Sequence, residues 1–218
     1  MSTLFGPMLP PRSGGPARQL VVLLHGVGAD GQDLIELAPV LAEDLPHAAF
    51  IAPDAPQPCD LAPFGRQWFS LQDRHPDRLA QGAGASAPLL DAFLDAELAR
   101  HGLEDRQMAL VGFSQGTMMA LFVAPRRPRP AAAVLGFSGA LLGGAALAAE
   151  IRSRPPVMLV HGDADEVVPV AALTAAEAEL AEVRIPVRSM VRAGLAHGID
   201  AEGLALGGQF LRKMLADA

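Results

Sequence analysis

Short runs rich in Val, Leu, Ile and Ala recur along the chain at 19–25, 48–52, 107–113, 132–137, 157–161 and 187–191. They carry apolar residues for both faces, the pattern of strands buried inside a parallel sheet. Between them, 33–44, 85–101, 115–124 and 170–183 repeat apolar residues at helical spacing, with Gly102 ending the second stretch and Pro125 the third. This alternation predicts an α/β fold, a mostly parallel twisted sheet with helices on both faces. The proline- and glycine-bearing stretch 53–84 is too long for a simple connection and is expected to form a wall or flap over a binding site.

Length and composition narrow the partners. A chain of 218 residues, half of them apolar, suits a single domain over 1–218, with 1–17 irregular. The net charge of −7 repels polyphosphate backbones, so nucleic acid is not an expected partner. The basic cluster Arg126, Arg127 and Arg129 is threaded with prolines and reads as a solvated turn. Cys59 is the only cysteine, so no internal disulfide can form. With no signal-peptide pattern at the start, the cytoplasm is the expected location. Residues 131–149 carry no charge, but four glycines and Ser138 break them into a strand, a loop and a short helix. Stable membrane insertion is therefore not expected.

Residues 107–124 read QMALVGFSQGTMMALFVA: a strand, then Gly112-Phe113-Ser114-Gln115-Gly116, then a helix. A GxSxG serine belongs in such a strained strand-to-helix turn, where small flanking residues let two backbones approach. Its hydroxyl needs a base to take the proton, and the base needs a carboxylate to orient it. Only His161 and His197 follow Ser114. His161 reads as a strand-end residue, whereas His197 lies in the glycine-bounded loop AGLAHGID, where an accessible imidazole belongs. The acid should come from HGDADEVVP, which offers Asp163, Asp165 and Glu166. Asp165 is the first choice and Asp163 the second, because spacing does not separate them. Asp-Ala-Asp lacks the further carboxylates a hard cation requires, so no metal is expected.

The stretch 20–31, LVVLLHGVGADG, admits two readings. Gly26, Gly28 and Gly31 spell GxGxxG, and Asp54 stands where a ribose-binding acid could sit. Alternatively, His25-Gly26-Val27-Gly28 is an oxyanion turn, with the Val27 and Gln115 N–H groups as donors. Only the second reading uses Ser114, Asp165 and His197 together.

The motifs LLHGVGADG, QWFSL around Trp68, VGFSQGT, FSGALL, HGDADEVVP and AHGI resemble the small bacterial carboxylesterases of the α/β-hydrolase fold, grouped with lysophospholipases and acyl-protein thioesterases. The resemblance spans nearly the whole chain. It implies Ser114 as nucleophile, Asp165 over Asp163 as acid, His197 as base, and Val27 and Gln115 as oxyanion donors. Two positions depart from the family pattern: Thr117, where a second glycine is common, and Ser70, where an aspartate is. The expected activity is hydrolysis of small-molecule carboxylic esters with short or medium acyl chains, lysophospholipids or thioesters, through an acyl-serine and without a cofactor. The short connection between 137 and 157 leaves no room for a large lid. Candidate groove residues are His25, Trp68, Phe69, Leu71 and Met118, several of which read equally well as core. A homodimer is compatible with the sequence. A dinucleotide-dependent oxidoreductase and a non-catalytic binding module are the alternatives.

Overall fold

The computed structural model describes residues 4–216. Seven strands form one sheet: β1 (Met8–Leu9), β2 (Gln19–Leu24), β3 (Ala48–Ile51), β6 (Met108–Phe113), β7 (Ala133–Phe137), β8 (Val157–Gly162) and β9 (Val187–Arg192). Their order is β1-β3-β2-β6-β7-β8-β9, and every pairing is parallel except that of β1 with β3. The six runs read from the sequence are the six parallel strands. β1 is an addition from the segment expected to be irregular, and it covers the β3 edge.

Helices cover both faces, as in an α/β-hydrolase fold. On one side α3 (Pro76–His101), α4 (Gln115–Val123), α5 (Gly144–Glu150) and α6 (Ala171–Glu182) pack on Leu20, Val22, Leu110 and Val134. On the other, α1 (Gly31–Ile35), α2 (Ala38–Asp44) and α7 (Ala201–Ala216) enclose Val21, Leu23, Val111 and Leu135. Successive residues of β2, β3, β6, β7 and β8 thus feed opposite cores, which is why those runs are apolar throughout. β9, at the sheet edge, is corrected from a strand buried on both faces to a largely exposed one.

Three helical boundaries differ from the reading of the sequence. The single stretch 33–44 is two helices: an Asp30 capping box opens α1, and Pro39 sits in the first turn of α2. The helix expected from 85 starts at Pro76, so the last part of 53–84 is helical. The remainder carries a small hairpin, β4 (Gln57–Pro58) with β5 (Arg66–Gln67). α7 was missed, since Gly203, Gly207 and Gly208 obscure its apolar stripe. These glycines face inward, where a side chain would meet Val160, Leu135 and Asp44. The only helix between β7 and β8 is the seven-residue α5, so no large lid is present. Among the described residues, no helix is long and apolar enough to cross a membrane.

Candidate active site

After β2 the chain goes to β3 on one side, and later returns to β6 on the other. A crevice opens at such a reversal, outside the carboxyl ends of the two strands. The turn after β2 carries Val27, and the turn after β6 carries Ser114. Ser114 has φ 53° and ψ −116°, a left-handed backbone that is costly for a residue with a side chain. Its N–H donates to the Phe137 carbonyl at 2.9 Å. The flanking glycines are obligatory on contact grounds: a Cβ at Gly112 would lie 2.4 Å from the Thr117 nitrogen, and one at Gly116 1.8 Å from the Leu24 oxygen.

Among the described residues, neither the Val27 nor the Gln115 N–H has an acceptor within the protein. The loop that holds Val27 is fixed from behind. His25 is fully buried, its Nε2 accepts the Ala55 N–H at 2.9 Å, and its Nδ1–H therefore donates to the Gly26 carbonyl at 2.7 Å. Burial, working against the Gly26 hydrogen bond and nearby acids, holds its pKa below the ordinary 6.5, so the ring stays neutral. Gln115 adds a second brace. Its Oε1 accepts the Trp68 N–H and its Nε2 donates to the Phe69 carbonyl, each at 2.8 Å. The β4–β5 hairpin closes onto the loop through Gly28 N–H to Arg66 O and Arg66 N–H to Ala29 O, each at 2.8 Å.

These bonds leave the dinucleotide reading without its donors. The Gly28 N–H is already spent on Arg66, and Asp54 accepts the Gly31 N–H at 2.8 Å instead of facing a ribose.

Asp165 and His197 meet in the same crevice. Asp165 Oδ2 accepts His197 Nδ1–H at 2.7 Å, and Oδ1 accepts the Val167 and Val168 N–H groups at 2.9 Å each. Burial by itself would raise the Asp165 pKa. The hydrogen bonds from His197, Val168 and Val167, with the attraction of the imidazole, outweigh that and hold it below the usual carboxylate range. The His197 ring packs against Phe113, centroids 5.0 Å apart, beside the serine. Asp163 lies outside this contact: its Oδ1 accepts the Gly194 N–H at 2.6 Å and anchors the loop that carries His197. Arg192 and Asp200 clasp the base of that loop at 2.8 Å. His161 is also more than a strand-end residue. Its Nε2 donates to the Val168 carbonyl at 2.7 Å and stands 3.3 Å from Asp165 Oδ2. The short i,i+4 spacing of His161 and Asp165 was the available signal.

Three candidate groove residues are corrected. His25 and Trp68 are wholly buried and Phe69 is 2% exposed, so none presents a side chain to a ligand. Trp68 is bolted in place by Nε1–H to the His25 carbonyl at 3.0 Å and by the Ser86 hydroxyl on its own carbonyl. Met118, at 8% exposure, and the half-buried Leu71 lie at the margin of that core. Ser70 is exposed and accepts the Gln72 N–H at 3.2 Å. The reading of Arg126, Arg127 and Arg129 as a solvated turn is corrected at Arg127, whereas Arg129 is exposed. Arg127 is 2% exposed and ion-pairs with Asp91, Asp95 and the buried Asp105, tying α3 to the end of α4. Cavities of about 520 Å³ beside Arg126 and about 730 Å³ between β9 and α7 touch none of Ser114, Asp165 and His197. Among the described residues, no group of three or more His, Cys, Asp or Glu could hold a metal ion.

Residues 12–215 match the phospholipase/carboxylesterase family. Esterase YpfH of Escherichia coli is 29% identical over 197 residues, 90% of this chain and 83% of that protein. Acyl-protein thioesterase 1 of Saccharomyces cerevisiae is 29% identical over 168 residues, 71% of this chain and 74% of its own. The crystal structure of esterase PE8 superposes with a TM-score of 0.94 at 44% identity, covering 98% of this chain and 100% of that one.

Proposed function

The chain belongs to the phospholipase/carboxylesterase family and is a hydrolase of the esterase and thioesterase kind, and we propose that it works through an acyl-serine intermediate on Ser114. His197 Nε2 takes the Ser114 proton as Oγ attacks the acyl carbonyl carbon. The carbonyl oxygen becomes an oxyanion between the Val27 and Gln115 N–H groups. Collapse of this adduct breaks the bond to the leaving alcohol or thiol, to which His197 passes the proton. His197 then takes a proton from a water that attacks the acyl-serine carbonyl, and returns it to Ser114 Oγ as the Oγ–acyl bond breaks and the carboxylic acid leaves. Asp165 stays ionised throughout, holding the His197 tautomer that leaves Nε2 free to accept. No metal or cofactor enters these steps.

The observation that carries the reading is the 2.7 Å Asp165–His197 contact in the crevice where the strained Ser114 turn sits. Two unpartnered N–H groups at the same reversal of strand order support it. The substrate we infer is a soluble ester of short or medium acyl length. Without a large lid the crevice is open, and Leu71 and Met118 offer only a limited apolar margin. A thioester is the second reading, favoured by the yeast relative's activity as its name gives it.

Hydrolysis of p-nitrophenyl esters from acetate to decanoate, with the native protein and Ser114→Ala, tests this. The native protein should turn over the shorter esters, and Ser114→Ala should be folded and inactive. A folded Ser114→Ala with native rates would overturn the acyl-serine.

A further inference from the structure

Two buried hydroxyl groups at the end of β7 join the nucleophile's turn to the loop of its base. Thr117 Oγ1–H donates to the Phe137 carbonyl at 2.9 Å, and the Phe137 N–H donates back to Oγ1 at 3.0 Å. The same carbonyl also accepts the Ser114 N–H. Phe137 is the last residue of β7 paired with β6, opposite Phe113, and the Thr117 hydroxyl adds to the ladder there as β6 turns into α4. Space for this side chain comes from Gly136 and Gly139, whose added Cβ atoms would lie 2.5 and 2.4 Å from Thr117 atoms. One residue further, Ser138 adopts φ 49° at 1% exposure. Its N–H donates to the Val160 carbonyl at 2.9 Å and its hydroxyl to the Gly198 carbonyl at 3.2 Å. Gly198 directly follows His197.

We propose that Thr117 and Ser138 are positioning residues, forming a hydroxyl bridge from Ser114 through Phe137 and Gly198 to His197 that sets the separation of nucleophile and base. The proposal rests on the acyl-serine reading. Ser138 explains itself on no other ground: a left-handed non-glycine backbone is tolerated only where its surroundings hold it, and here a glycine would be easier. What glycine lacks is the hydroxyl that reaches the His197 loop. Thr117 likewise fills the position where a glycine would leave the Phe137 N–H without this acceptor.

The test is steady-state hydrolysis of p-nitrophenyl butyrate, with thermal melting, by Ser138→Gly, Thr117→Val and Thr117→Ser. Ser138→Gly relieves the backbone strain, so it should melt no lower than the native protein. Its kcat should nevertheless fall roughly ten- to a hundredfold, with KM within about twofold, as expected when reacting groups are misplaced by a fraction of an ångström to one ångström. Thr117→Val should lose kcat similarly, and Thr117→Ser should recover most of it. A purely structural role predicts the reverse, a lowered melting temperature with native kcat in the surviving fold. Native kcat in folded Ser138→Gly overturns the bridge, and decides the matter alone if Thr117→Val does not fold. A native protein that neither hydrolyses esters nor reacts with a fluorophosphonate overturns the acyl-serine reading itself, and the bridge with it.

Discussion

Asp165 and His197 touch through a single oxygen, Oδ2 to Nδ1 at 2.7 Å, while the other carboxylate oxygen is filled by the Val167 and Val168 N–H groups. The carboxylate therefore has one orientation, and the imidazole takes its tautomer from it.

Asp165→Asn should keep the fold and lower kcat by about 10³–10⁴, because an amide nitrogen facing Nδ1 favours the wrong tautomer. Asp163→Asn can still accept the Gly194 N–H and should retain most of the activity. Ester kinetics on the two variants discriminate between them. A larger loss in Asp163→Asn would reassign the acid.

Gln115→Leu strands the Trp68 N–H and the Phe69 carbonyl, both buried. Each unpaired group costs about 1–3 kcal/mol, so urea unfolding should show a loss of about 2 kcal/mol or more. Turnover should fall as well, since loosening this brace would shift the backbone N–H of residue 115, the proposed oxyanion donor. Native stability in Gln115→Leu would show that the brace is dispensable.

Arg127→Ala should destabilise the fold by about 3 kcal/mol, the low end of the cost of breaking a buried ion pair, because Asp105 loses Arg127 but keeps the exposed Arg129 at 2.7 Å. The kcat of the folded protein should be unchanged, because this network lies at the far end of α4 from Ser114. Parallel denaturation and kinetics check both halves. A selective fall in kcat would count against a structural role.

Stability should decline on acidification. Unfolded His25 takes up a proton as pH falls through 6.5, but folded His25 resists until lower pH, so the unfolded state binds more protons. Asp165, Asp105 and Asp200, all held below the ordinary carboxylate value of 3.8, add the same sign of effect further down. Melting temperatures from pH 8 to pH 3 should drop first below about 6.5 and again below about 4. A flat or rising profile between pH 7 and 5 would contradict the neutral His25.

Much of the architecture was legible in the chain. Five of the parallel strands, β2, β3, β6, β7 and β8, announce themselves because each is buried on both faces and only a continuous apolar run satisfies that environment, whereas β9 is an exposed edge strand that keeps Arg188, Ser189 and Arg192 among its apolar residues. α7 escaped notice because its inward positions include glycines, chosen for close approach to Leu135 and Asp44 and not for hydrophobicity. β1 and the β4–β5 hairpin were invisible because two-residue strands have no period to detect. Among the site residues, Trp68 and His25 stand as groove candidates in the sequence. Only their hydrogen bonds to each other and to Gln115 and Ala55 reveal that they brace the Val27 loop from inside.

By itself the sequence determined the sheet, the strained serine between Gly112 and Gly116, and the chain order of serine, acid and histidine, because these follow from local patterns and from contacts within one turn. The tertiary structure decided which acid meets His197, what holds the Val27 loop, and how Thr117 and Ser138 connect the Ser114 turn to the loop of His197. Those contacts join segments that the sequence separates by tens of residues, and only the packing of β7, β8 and their loops into one crevice brings the partners within hydrogen-bonding distance.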